Sequence, residues 1–177
     1  LSGKNLLTLV NSILDFSKIE EGEMEFHPQN VNLESLFHEI LTLVENQANE
    51  KSIKISLIGI SSEDVIFADK QLVKQAFINI LSNAVKFTPN DGEISIQHTI
   101  NTSKHSFDIC DSGIGIAQED ISELFTPFKQ GQSAKQTLVK GTGLGLAITH
   151  TIITKLHNGT ITVTSEVNKG TCFHISL

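Results

Sequence analysis

Nowhere does the chain carry an uninterrupted apolar run of membrane-spanning length, so no segment of it reads as a transmembrane helix. Its opening, LSGKNLLTLVNS, has no signal-peptide cleavage pattern and no initiator Met. It reads as a helix entered part-way, in a piece of a longer protein whose remainder leaves an inner-membrane anchor open. Positive charge is scarce too: 13 Lys and Arg against 20 Asp and Glu leave a formal charge of −7. A large nucleic-acid footprint needs a basic face, and that class is excluded. Cysteine is scarcer still. Cys110 and Cys172 form no CxxC pair and no disulfide framework, which points to a reducing, cytoplasmic setting. Trp and Tyr are absent, leaving ten Phe as the whole aromatic inventory. What remains is ordinary for a soluble domain, 39% hydrophobic and 19% charged over 177 residues. At that length one core buries roughly 70% of the unfolded chain's surface without a covalent staple.

Leu6, Leu7, Val10, Ile13, Leu14 and Ile19 fall on one wide helical stripe. The spacing predicts a helix from Leu6 to Ile19, within a segment 1–22, that seeks another helix in a bundle or coiled coil, with a homodimer through residues 1–20 as the expected pairing; packing onto its own domain is the alternative. A linker and first strand follow over 23–31, and the main domain runs from 32 to 177. Asn32 is a natural N-cap for a second helix through Leu36, Phe37, Ile40, Leu41, Val44 and Ala48. Strand-like runs at 53–60 and 65–68 precede a third helix over about 70–87, closed by the turn Pro89-Asn90-Asp91-Gly92.

Four later segments alternate apolar and polar residues. Ile94, Ile96 and Ile100 share one parity, as do Phe107 and Ile109, then Ile161, Val163 and Val167, then Phe173, Ile175 and Leu177. Strands apolar on one face only exclude a parallel sheet buried on both faces. The predicted fold is an α/β two-layer sandwich, a mixed and largely antiparallel sheet covered on one face by about three helices. By parity Asp111 and Thr171 point under the helices, while Cys110, Cys172 and His174 face solvent. Two polar groups aimed inward at strand ends are pocket candidates.

Three elements carry chemistry. On the third helix, Gln75, Asn79, Asn83 and Lys86 form one polar stripe. Asn is a poor helix former, and its carboxamide oxygen suits Mg²⁺, with Lys86 as a cation for polyphosphate; a solvated polar face reads the same way. Asp111-Ser-Gly113-Ile-Gly115-Ile116 follows a strand directly. Its glycines admit close approach of backbone to a flat ligand, and its Asp accepts from an exocyclic amine, although a turn alone also explains a GxG. Gly141-Thr142-Gly143-Leu144-Gly145-Leu146 opens a helix over 144–156, a cradle of N–H groups for an anion. It is no P-loop, since GK[ST] is missing, and no dinucleotide fingerprint. Between the last two elements, 129–142 reads as a lid. With a net negative charge, a polyphosphate is held by such local groups and a metal ion.

These stretches, with Phe125-Thr-Pro-Phe128 and Gly170-Thr-Cys-Phe173, resemble the ordered boxes of histidine-kinase ATPase domains. Leu14 to Phe26 is similar to the end of the second dimerisation helix and the linker after it. The resemblance implies a Bergerat-type fold behind a dimerisation helix, and binding of ATP and Mg²⁺. It implies Asn79 on the metal, Asn83 and Lys86 on the phosphates, Phe87 near adenine, and Asp111 accepting from the adenine amine. Gly113, Gly115 and Ile116 would line the base and Thr171 would reach it. The loop Gly141, Thr142, Gly143, Leu144, Gly145 and Leu146 would wrap the phosphates. Gln130 stands at a lid position, but Thr137-Leu138 replaces the Arg-Lys pair frequent in relatives, so Lys129, Lys135 or Lys140 would serve the γ-phosphate instead.

Related ATPases place a water-activating Glu where this chain has Asn79, a residue that cannot act as a base. Asn79 and Lys86 are thus the expected catalytic pair of a phosphotransferase, not of a hydrolase. The implied acceptor is a histidine, followed by an acidic residue, on a dimerisation helix of the same or a partner subunit. Onward transfer would go to a response regulator's receiver domain. None of His27, His38, His98, His105, His150, His157 and His174 is read as having that context, and each is read as a surface or satisfied structural side chain. A docking pseudokinase and an ATP-driven clamp are the competing readings, the clamp disfavoured by Asn79.

Overall fold

The computed structural model describes residues 10, 13, 14, 16–19, 21–101, 104–129 and 142–177. Val10, Ile13, Leu14 and residues 16–19 are helical. The remaining positions of the predicted first-helix stripe, Leu6 and Leu7, lie outside the described residues.

Strand β1 (Gln29–Asn32) runs into helix α1 (Leu33–Glu50). The predicted cap forms: Asn32 Oδ1 accepts from the Ser35 N–H at 2.9 Å. Leu33, Leu36, Phe37, Ile40, Val44 and Ala48 make one buried face. β2 (Lys54–Ile58) and β3 (Val65–Ala68) follow, then helix α2 (Lys70–Phe87), β4 (Glu93–Asn101) and β5 (Lys104–Asp111). A short helix α3 (Gln118–Ile121) precedes helix α4 (Gly145–Thr151), and β6 (Thr160–Glu166) and β7 (Gly170–Ser176) end the chain. β1 and β3 form a separate antiparallel pair. The main sheet has the order β2-β4-β5-β7-β6, parallel only between β2 and β4. The mixed, largely antiparallel sheet under one helical layer is the architecture that the alternation predicted.

Three phenylalanines tie the layers together. Phe37 of α1, Phe77 of α2 and Phe107 of β5 are fully buried, with ring centroids 5.0 to 5.8 Å apart. Such tilted contacts each add about 0.5–1.5 kcal/mol beyond area burial.

Both ends of α2 are held by distant residues. At its start, Asp69 Oδ1 accepts from the N–H groups of Gln71 and Leu72, and Oδ2 accepts from the His27 N–H at 2.8 Å. The Asp69 N–H donates to His157 Nε2 at 3.1 Å. At its end, Lys51 Nζ donates to the carbonyls of Val85, Lys86 and Thr88 at 2.8 to 2.9 Å. A lysine there satisfies carbonyls that the helix leaves orphaned and complements the negative end of its dipole.

Four details correct the sequence reading. The helix expected over 144–156 is α-helical only to Thr151; Ile152–Leu156 is a π-helix, whose wider turn places His157 under Asp69. Ile100 is 53% exposed rather than buried, because it lies near the open end of the β4–β5 pair. His98 is the buried member of that row instead: its Nδ1 donates to Gly59 O at 2.9 Å and its Nε2 accepts from His105 Nδ1 at 3.0 Å. Val167 is likewise exposed, in the turn beyond β6. Fourth, the two cysteines do pair. Cys110 and Cys172 are register partners on β5 and β7, joined by a disulfide with 4.0 Å between their Cα atoms. A separation of 62 residues says nothing about pairing until strand register puts the two side by side.

Glu39 of α1 bridges to α2 through Lys70 Nζ at 2.7 Å and Lys74 Nζ at 2.6 Å. These hydrogen bonds hold its carboxyl at a pKa of about 2, below the ordinary 4.5. A depressed folded-state value means the contribution is present above pH 4.5 and is lost as pH falls toward 2. Acid unfolding followed by circular dichroism is expected to show a shallower loss across that window in Glu39→Gln than in the unaltered protein. Identical pH profiles would remove the bridge from the stability of the domain.

Candidate functional site

Helix α2 is the spine of the site. Gln75, Asn79, Asn83 and Lys86 are all half-buried, so the stripe is neither core nor freely solvated surface. The Asn79 amide nitrogen donates to Gly145 O at 3.1 Å and lies 3.3 Å from Thr149 Oγ1. Thr149, fully buried, donates in turn to Gly145 O at 2.9 Å. The first turn of the glycine-opened helix α4 is thereby fastened to the middle of α2. With its nitrogen committed, the Asn79 carboxamide oxygen is the atom chemically suited to a hard cation. One helical turn beyond Asn83, Lys86 Nζ lies 4.7 Å from the centre of the Phe87 ring, and burial pushes its ammonium pKa down.

The loop after β5 closes on the same end of α2. Ile114 N–H donates to Phe87 O at 3.3 Å, and Gly113 N–H donates to Asp111 Oδ1 at 2.8 Å. A Cβ on Gly113 would stand 2.6 Å from Asp111 Oδ1 and 2.8 Å from Phe87 O, so only glycine fits. Burial raises the Asp111 carboxyl pKa, while N–H groups of Gly113 and Thr171 pull the other way. A half-desolvated carboxylate held by two N–H groups has the capacity to accept from a further donor.

Thr171 pairs with Asp111 across β5 and β7 and is 8% exposed, inward as its parity predicted. Its hydroxyl lies 2.9 Å from Ser165 Oγ. Ser165 has a single hydroxyl proton, which goes to Gly170 O at 2.8 Å, so Thr171 is the donor between them. Ile116 N–H also donates to Ser165 Oγ, at 2.8 Å. Ser165 therefore joins two expected site segments, Gly113 to Ile116 and Gly170-Thr171. Gly170 has φ of +112°, and any Cβ there would overlap the Asp111 carbonyl.

A family model described as histidine kinase-, DNA gyrase B-, and HSP90-like ATPase matches residues 68–177, which hold every one of these groups. The chain belongs to that family. This ATPase domain is 38% identical over 180 residues to the non-motile and phage-resistance protein of Caulobacter vibrioides, covering 99% of this chain and 21% of that protein. It is 35% identical over 185 residues to the signal transduction histidine-protein kinase BarA of Escherichia coli K12, covering 99% of this chain and 20% of BarA. The chain thus spans about a fifth of the length of these relatives. Among solved structures, the nucleotide-free catalytic domain of histidine kinase ThkA superimposes with a TM-score of 0.74 at 30% identity, over 87% of this chain and 95% of that one. Full-length ShkA, solved with AMPPNP, gives 0.83 at 28% identity over 99% of this chain and 36% of that one. The chain is an ATP-binding catalytic domain of the histidine kinase type.

Within this ATPase domain, Asn79, Lys86, Phe87, Asp111, Gly113, Ile116, Gly145 and Thr171 are brought into two linked clusters on α2. Asn83 lies between them on the same stripe. Thr142, Gly143, Leu144 and Leu146 lead into and begin α4; Gly143 O accepts from the Phe128 N–H at 2.9 Å, which joins the FTPF segment to the glycine loop. Gly115, with φ of +69°, backs onto Glu166 instead of facing the clusters. Gln130, Lys135, Thr137, Leu138, Lys140 and Gly141 lie outside the described residues, and Lys129 Nζ is bound to Glu123 at 3.0 Å.

Sequence reasoning missed Thr149 and Ser165. Thr149 is one helical turn past Gly145, a weak hint. Ser165 had no signal, because its place opposite Thr171 exists only once β6 and β7 are in register. It also passed over a neighbour: exposed His38 is followed directly by Glu39 on α1, so one histidine here does have an acidic successor. The two lysines on Glu39 make that carboxylate a poor proton acceptor for the adjacent imidazole.

Proposed function

We propose that this domain binds ATP with Mg²⁺ and passes the γ-phosphoryl group to a histidine on a dimerisation helix, from which a response regulator's receiver domain takes it. One observation carries the reading: the residue fastened between α2 and α4, at the centre of the polar stripe, is Asn79. A carboxamide cannot deprotonate water, so a bound triphosphate is kept for an acceptor that is delivered to it. The relatives named as histidine kinases support the same conclusion, as does the AMPPNP in full-length ShkA.

Each group has a task. Asp111 accepts from the exocyclic amine of adenine, with Thr171 beside it and Phe87 along the base. Asn83, Lys86 and the N–H groups from Gly141 to Leu146 hold the phosphates. Among the described residues no three His, Cys, Asp or Glu side chains are grouped to hold a metal; the Asn79 oxygen would hold Mg²⁺ brought in with the nucleotide. Mg²⁺ held there would supply charge neutralisation at the phosphate oxygens. Residues 129–142 act as the lid, residues 1–20 as the homodimer helix, and 23–31 as linker and first strand, in a cytoplasmic setting. Phe16 against Phe128, with ring centroids 6.2 Å apart, links the helix to the FTPF segment. A receiver-domain partner is supported by ThkA, which was solved in complex with the response regulator TrrA and matches at TM-score 0.75 and 26% identity over 98% of this chain and 47% of that one.

Incubation with γ-labelled ATP is expected to leave this chain unlabelled alone, and to label an added chain that bears an acceptor helix. Acid-labile, alkali-stable phosphate identifies phosphohistidine. Stoichiometric label on this chain alone, lost in His38→Gln, would overturn the assignment of an acceptor outside it. ATP binding with no transfer to any acceptor helix would favour a docking role.

A further inference from the structure

The disulfide stands where the site is built. Cys110 and Cys172 occupy the rung next to the one formed by Asp111 and Thr171. All four residues, with Ser165 and Lys169, line a depression of about 390 Å³. Both cysteines have the parity of the sheet face that no helix covers, and both are half-buried, so a small reagent reaches them. Nothing in the proposed phosphoryl chemistry uses either sulfur.

We propose that Cys110–Cys172 is a thiol–disulfide exchange site for low-molecular-weight thiols, and that its state sets the affinity for nucleotide. The coupling rests on the ATP-binding reading above; the exchange itself does not. In reduction, an external thiolate attacks one Sγ and the S–S bond breaks. The other Sγ leaves as a thiolate and takes a proton. A second external thiolate attacks the external sulfur of the mixed disulfide, releasing the remaining cysteine thiolate, which is protonated in turn. Two electrons and two protons enter the protein and one small disulfide leaves. The same small disulfide is the oxidant in the reverse direction.

The bond bears on the site through geometry. Oxidised, it ties β5 to β7 one rung from the Asp111–Thr171 pair, so Asp111 and Thr171 are held at a set separation, with Thr171 donating to Ser165 and Gly170 bonded to the same hydroxyl. Reduced, the strands keep their ladder but lose the covalent tie at the pocket end, and the base meets a less ordered wall. Pre-ordering lowers the entropy lost on binding, so the oxidised form binds more tightly. Reciprocity follows: bound nucleotide favours the disulfide by the same factor.

Calorimetric titration of ATP with Mg²⁺ tests this on the chain held in glutathione disulfide or in dithiothreitol, with circular dichroism confirming that both forms are folded at the working temperature. A three- to tenfold tighter Kd is expected for the oxidised form. The double variant Cys110→Ser, Cys172→Ser is expected to show the weaker value in both buffers. Saturating ATP is then expected to move the midpoint of a glutathione titration, read by thiol mass-tagging, toward the disulfide by roughly 14–30 mV, the same factor at 29.6 mV per decade. Two persistent free thiols per chain in glutathione disulfide would overturn the exchange site. Affinities within twofold of each other in the two states would overturn the coupling. If neither state binds ATP, the nucleotide reading fails and takes the coupling with it, while the thiol count still decides the exchange.

Discussion

Asp111→Asn is expected to lower adenine-nucleotide affinity by roughly ten- to a hundredfold, the equivalent of about 1.5–3 kcal/mol for a hydrogen bond to a charged acceptor. The carboxylate is half-desolvated at the end of β5, where Gly113 packs closely against it and donates its N–H to Oδ1. Stability is expected to move the other way. Burial raises this carboxyl pKa above its ordinary 3.8, so its folded-state benefit exists below that value and is lost as pH rises through the raised one. At neutral pH the ionised group is therefore a small burden on the empty domain, and the Asn variant should melt no lower than the unaltered protein. Binding carries the complementary signature. Only the ionised form accepts two donors, so ATP affinity should begin to fall, on acidification, at a pH higher than an ordinary aspartate would give. In Asp111→Asn that dependence should flatten. Calorimetric titration across pH reads both effects; unchanged affinity in the variant would remove Asp111 from the site.

The second large effect is expected at Asn79. Asn79→Ala removes the proposed metal ligand and also the amide that fastens Gly145, so transfer to an acceptor helix should fall on the order of 10²-fold, the scale of a small misplacement of reacting groups. Affinity for ATP in Mg²⁺ should fall more than affinity in chelator. Equal losses in the two conditions would contradict the metal assignment. Asn79→Asp separates the two tasks. It keeps an oxygen for the cation but sets a carboxylate against the Gly145 carbonyl and the Thr149 hydroxyl. If the tether governs the rate, Asp is as damaging as Ala; if the ligand governs it, Asp retains metal-dependent binding.

Much of this was readable from residue order alone. Strand alternation set which face of the sheet was buried, because side chains on a strand repeat every two residues, and that placed Asp111 and Thr171 inward. Helix periodicity set α1 and α2, and Asn32 did cap α1, since these signals act within a few residues of themselves. The polar stripe Asn79, Asn83, Lys86 and the glycine-opened turns were legible for the same reason. Their identity as one site rested on resemblance, not on spacing.

Tertiary structure decided everything that depends on which segments become neighbours. The Cys110–Cys172 bond and the role of Ser165 follow from strand register, which distant pairing sets and local sequence does not reveal. Thr149 acquired its place only when α4 docked on α2 through Asn79. Glu39 beside His38 looks like an acid–histidine pair on paper, yet Lys70 and Lys74, more than thirty residues away, draw its carboxylate into another bridge. Sequence by itself determined which strand face turns inward and which chemistry its residues offer; packing determined which of them are covered and which meet.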